Sequence, residues 1–144
     1  MPTKQVIVWR QDLQNVPKGK FGSQMGHAAH GFLTDQIRKQ FIDQHPSLRA
    51  GESGKVEIRL TQAEMDWILD NYRKVVAFVR TEEELMTLHE AAKAAGLTVH
   101  LVTDNGLTVF EKPTVTCLAI GPDTDEALDA ITGVAGPLGK LKLL

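Results

Sequence analysis

Apolar positions along this chain fall into two kinds of run. Val6-Ile7-Val8-Trp9, Val75-Val76-Ala77-Phe78-Val79, Leu97 to Val102 and Val115 to Ile120 are short, dense in apolar and β-branched residues, and of strand length. Elsewhere the spacing is helical. Phe21, Met25, Ala28, Ala29, Phe32, Leu33, Ile37 and Phe41 recur with a 3.6-residue period, which predicts a long helix from Gly19 or Lys20 that stops before His45-Pro46. Thr61, with Glu64 three residues on, predicts a capping box opening a helix through Trp67, Ile68 and Leu69. Thr81 caps another, with Glu82, Glu83 and Glu84 where the helix dipole favours anions. Its stripe is Leu85, Leu88, Ala91, Ala92 and Ala95, and its stop is Gly96. A last helix opens at Asp123 or Thr124 and ends at Gly133. Residues 47–60, with Gly51 and Gly54, read as a loop or short extended excursion. Thr103 to Thr114, with its Asn105-Gly106 turn signal, and residues 134–139 read as irregular.

This order predicts an α/β fold: a three-layer α/β/α sandwich on a small four-stranded mixed, mostly parallel sheet. Residues 74–102 form a βαβ crossover, whereas the Asn-Gly loop is short enough to make the fourth strand antiparallel to the third. Gly22 and Gly26 weaken the long helix by about 1 kcal/mol each relative to Ala, so close approach of its backbone to the sheet or to a ligand is expected there. The aliphatic tail Leu141 to Leu144 packs either on its own sheet or in a homodimer interface.

The 144 residues are expected to form one domain, 1–144; at 42% hydrophobic and 24% charged they have an ordinary globular composition. The N-terminus lacks the apolar stretch of a signal peptide and no run spans a bilayer, so a cytoplasmic protein without a membrane partner is expected. The single Cys117 lies inside an apolar strand and reads as a buried structural thiol. A net charge of −2 argues against generic nucleic-acid binding, but residues 1–20 carry Lys4, Arg10, Lys18 and Lys20 against Asp12 alone, so a local basic patch fits beside the long helix.

On that helix Lys20, Gln24 and His27 share one face, at i, i+4 and i+7. Parallel strands would bring the start of this helix and the segment Thr103-Asp104-Asn105-Gly106-Leu107-Thr108 to the same sheet edge, so that Lys20, Gln24, His27, Asp104 and Thr108 converge. Plainer readings stand beside this one: a solvated lysine, a semi-buried histidine, a turn aspartate. His27 and His30 have the spacing of a metal pair, but no further ligand follows at a suitable distance, so neither a metal nor a cofactor is expected.

Four separated segments, in order, carry a resemblance. Arg10-Gln11-Asp12-Leu13 is followed by Lys18-Gly19-Lys20, Gln24 and His27-Ala28-Ala29. Then come Thr103 to Thr108, Thr116 through Gly121-Pro122, and Ile131-Thr132-Gly133 with the terminal Leu141-Lys142-Leu143. Together they resemble the peptidyl-tRNA hydrolases of the archaeal and eukaryotic type over most of the chain, apart from roughly residues 47–72 and 134–139. The resemblance implies hydrolysis of the ester between a peptide and the 3′ end of tRNA. It implicates Lys20, Asp104, Thr108 and Thr116 in activity, with Gln24, His27 and Lys18 in supporting, substrate-binding roles. Asp104 would orient or deprotonate water, Lys20 would pair with Asp104 and meet a phosphate or the oxyanion, and the threonines would hold water or ribose. The main departure is Leu107, where the family usually has Arg; it removes a cation suited to RNA phosphate. Leu107 and the acidic net charge also motivate an alternative, a non-catalytic tRNA- or protein-binding member of the same fold.

Overall fold

The computed structural model describes residues 1–44 and 54–144. Strand β1 (Thr3–Arg10) leads to helix α1 (Lys18–Gln44), helix α2 (Gln62–Leu69), strand β2 (Lys74–Val79), helix α3 (Glu82–Ala94), strands β3 (Val99–Asp104) and β4 (Thr114–Thr124), helix α4 (Asp125–Thr132) and strand β5 (Lys142–Leu143). The predicted caps are present. Glu64 N and Thr61 Oγ1 are 3.1 Å apart, and the Glu64 carboxylate accepts from Thr61 N at 3.1 Å. Thr81 and Thr124 accept from Glu84 N and Ala127 N in the same way. Residues 54–60 carry no regular secondary structure; the part of the predicted loop that contains Gly51 lies outside the described residues.

The five strands form one sheet in the order β3-β4-β1-β2-β5. Two expectations are corrected by it. The sheet has a fifth strand, because Lys142 and Leu143 of the tail pair with Phe78 and Ala77 of β2; two residues are too few to show a strand period. The sheet is also less parallel than expected. Only β1 and β2 pair in parallel, while β1–β4, β3–β4 and β2–β5 are antiparallel. The cause is the short Thr103–Thr114 connection, which folds β4 back on β3 as a hairpin and inserts it between β3 and β1. The crossover from β2 through α3 therefore reaches a strand of the same direction with two strands between them.

Side chains alternate cleanly across this sheet. Val6, Val8, Leu118 and Ile120 point toward α3 and α4, meeting Leu85, Leu88, Leu128 and Ile131; Ile7, Trp9, Cys117 and Ala119 point toward α1, meeting Ala28 and Ala29. Trp67 of α2 packs edge-on against Phe32 of α1 at 5.9 Å between ring centres. The result is the expected three-layer sandwich. Since β1 and β3 run the same way, their carboxyl ends share an edge, and β1 delivers the chain there to α1. Arg10 fixes this exit. Its guanidinium grips Asp12 through two nitrogens, at 3.0 and 2.8 Å, and donates to the Val115 carbonyl of β4 at 2.9 Å.

The glycines of α1 do not behave as expected. At Gly22 and Gly26, among the described residues, no atom beyond the helix's own neighbouring backbone lies within 4 Å of the place a Cβ would take, so neither allows close approach to the sheet. The close-packed glycine is Gly31, where a Cβ would lie 2.0 Å from Cγ of His100 on β3.

Candidate active site

At the shared edge the first turn of α1 faces the end of β3. Lys20 Nζ lies 2.5 Å from Asp104 Oδ2 and donates to Thr108 Oγ1 at 2.9 Å. Asp104 is buried, and its other oxygen accepts from Gly106 N at 2.9 Å, so the carboxylate is both a turn anchor and half of an ion pair. Gly106 has φ +81°, and a Cβ there would lie 2.4 Å from the carbonyl carbon of Lys112; only glycine lets this turn close under Asp104. Leu107 N caps back to Asn105 Oδ1 at 3.2 Å, and the loop then presents Thr108 to the lysine. The Phe110 ring, which the pattern of the chain does not single out, lies 5.9 Å from Lys20 Nζ and supplies a cation–π face.

One turn along α1, Gln24 is buried and reaches the same carboxylate, its Nε2 donating to Asp104 Oδ2 at 3.3 Å. Its Oε1 accepts from Thr116 Oγ1 of β4 at 2.5 Å. The carboxylate sets the orientation of the amide: ionised Asp104 only accepts, so the nitrogen faces it and the oxygen turns to the Thr116 hydroxyl, which donates. Thr116 is fully buried and lies behind Gln24, so its link to the carboxylate runs through the amide. The neighbouring Cys117 donates to the Gln24 carbonyl oxygen at 3.6 Å. Burial pushes its thiol up to about 11, which suits a structural group and not a thiolate nucleophile.

Electrostatically the centre is a stabilised anion. The hydrogen bond from Lys20 holds the Asp104 carboxyl below the usual carboxylate range; Gly106 N, the charge of Lys20 and Gln24 add to it, against burial, which acts the other way. Lys20 has three N–H bonds and two are engaged here, so one donor is available to a further oxygen.

Lys20, Gln24, Asp104, Thr108 and Thr116 are thus brought together. His27 is not. It is exposed, its Nε2 is 3.5 Å from Ser23 Oγ, and it borders a separate cavity with His30, Arg38 and His100. A seven-residue step on a helix turns about 20° from the starting direction and advances about 10 Å, so His27 is near the face of Lys20 but beyond its reach. Lys18 is exposed at the start of α1. Among the described residues no group of three or more His, Cys, Asp or Glu side chains is placed to hold a metal ion, and no helix is long and apolar enough to cross a membrane.

Fold and site define an α/β protein whose lysine–carboxylate pair, backed by a buried amide, stands at the edge where β1 and β3 end. The sequence model of the family Peptidyl-tRNA hydrolase PTH2 matches residues 3–144. The chain is 42% identical over 131 residues to the protein named Peptidyl-tRNA hydrolase of Methanopyrus kandleri, covering 90% of this chain and 93% of that one. It is 36% identical over 130 residues to the protein of the same name from Methanothermobacter thermautotrophicus, covering 90% and 95%. A third, from Methanocaldococcus jannaschii, is 34% identical over the same share. This chain belongs to the peptidyl-tRNA hydrolase PTH2 family. The match runs through residues 47–72 and 134–139, where the sequence motifs have no counterpart.

Proposed function

We propose that this chain hydrolyses the ester between a peptide, or an N-blocked amino acid, and the 3′ end of tRNA, using the Lys20–Asp104–Thr108 cluster. The observation that carries the assignment of residues is the ion pair at the sheet edge, with a free N–H on the cation and an acceptor hydroxyl beside it. Ester hydrolysis needs a water held against the carbonyl and a donor where negative charge develops. In the free protein Asp104 is a weak base, because Lys20 stabilises its anion. A substrate phosphate or oxyanion that draws Lys20 toward itself removes the largest of those stabilising contacts. The carboxylate becomes more basic as the cation moves onto the substrate, and it then orients the water and accepts its proton. Thr108 holds the water or the terminal ribose. Gln24 and Thr116 are positioning residues that keep Asp104 Oδ2 aimed at the cleft. The same reading places the protein in the cytoplasm, where translation supplies such esters, and includes a homodimer.

The test is release of labelled N-acetyl-aminoacyl groups from tRNA in EDTA. Lys20→Ala and Asp104→Ala are each expected to lower kcat by about 10²–10³-fold with circular dichroism unchanged. Full activity in both folded variants would remove the site. Loss of turnover in the unsubstituted protein, with tRNA still bound, would leave the binding-protein alternative.

A further inference from the structure

We propose that the groove between α1 and the edge strand β3 is the track on which the phosphodiester backbone of the substrate tRNA runs away from the ester site. The proposal rests on the tRNA-ester reading above. Strand β3 runs toward the site and α1 runs away from it, so the cavity between them begins beside the site, at Thr103 next to Asp104, and leads outward. Thr103, next to Asp104, and His27 border its inner end; His30, His100 and Thr34 follow, and Arg38 lies at the outer end. The cavity measures about 460 Å³. At 1.5 Å per residue, Arg38 is about 27 Å along the helix from Lys20, room for about eight stacked nucleotides at ~3.4 Å each.

The chemistry of the walls fits phosphate. Among the described residues, three imidazoles and one guanidinium line the groove and no carboxylate does. The adjacent carboxylate, Asp35, is engaged by His100 Nδ1 at 2.7 Å. The Arg38 and His30 side chains make no hydrogen bond or ion pair among the described residues, so their donors face outward unspent. A planar guanidinium with free N–H groups matches two phosphate oxygens at once. Gly31 is the structural condition for this arrangement. Only a residue without Cβ lets the His100 ring of β3 rest against α1. Phosphate contacts of this kind would supply elsewhere the single cation lost at Leu107.

Arg38→Ala and His30→Ala, both at exposed positions, test the track. On N-acetyl-aminoacyl-tRNA each is expected to raise KM roughly three- to tenfold with kcat within about twofold. Arg38→Ala should also lower the slope of log KM against log salt by about one, and Arg38→Lys should restore most of that slope. On a short N-acetyl-aminoacyl-adenosine ester, which ends before the groove, neither substitution should change kcat/KM. Unchanged KM and salt slope on tRNA, or equal losses on both substrates, would overturn the track. If the unsubstituted protein hydrolyses neither substrate, the hydrolase reading fails separately, and fluorescence anisotropy with uncharged tRNA decides the groove: weaker binding by Arg38→Ala supports it, equal binding ends it.

Discussion

Asp104 shows how one residue serves two purposes that sequence reasoning treats as rivals. Its Oδ1 closes a turn on Gly106 N, and its Oδ2 meets Lys20 and Gln24. The turn residue is the site residue, because the turn holds the carboxylate still. Its titration has a definite sign. Lys20 favours the anion in the folded state, so the folded carboxyl lies below the ordinary value of 3.8. The stability this contributes is fully present above that ordinary value and is lost as pH falls through the lower, folded one. Carbon-detected NMR of the Asp104 carboxyl is expected to show its midpoint below 3.8 in the free protein and higher in Lys20→Met. A midpoint at or above 3.8 before substitution would show that the ion pair does not form in solution. Gln24 and Thr116 are legible only in part at this scale. Residue type and helical spacing single out Gln24 but not its partner, since the separation of 92 positions from Thr116 is bridged by the register of β4.

At the scale of elements, helices were more legible than strand pairings. Caps are local chemistry: a threonine hydroxyl and an N–H three residues away find each other whatever the rest of the chain does, and Thr61, Thr81 and Thr124 all do so. The glycines of α1 depend instead on what packs against them, and there the sheet half of the expectation failed. Gly22 and Gly26 cost helix stability without making room for any described side chain, whereas Gly31 makes room for His100. Gly26→Ala is accordingly expected to raise stability by about 0.5–1 kcal/mol, and Gly31→Ala to lower it by about 1–3 kcal/mol through overpacking. Urea denaturation of the two variants reads both; equal shifts would mean that α1 and β3 are farther apart than 2.0 Å at that Cβ position requires. A loss of activity in the stabilised Gly26→Ala protein would mark that backbone as a place the substrate approaches.

For the molecule as a whole, the outward face of α2 bears on the proposed homodimer. Met65, Ile68 and Leu69 remain exposed, Leu69 by 83%, while Glu64 and Trp67 turn inward. A stripe of this kind is suited to a second copy of the chain. Sedimentation velocity at micromolar concentration is expected to show a dimer that Leu69→Asp converts to monomer; a monomeric unsubstituted protein would rule that state out. By itself the sequence determined the three-layer α/β class, the capped helices, the chemistry-bearing motifs and, through them, the family, because each of these is written in local periodicity or in residue types at short spacing. Tertiary structure alone decided the place of β4 between β3 and β1, the two-residue β5, the amide relay from Thr116 through Gln24 to Asp104, and the separation of His27 from the ion pair. Those depend on strand register and on which helix face meets which strand, and such long-range pairings leave no period along the chain to be read.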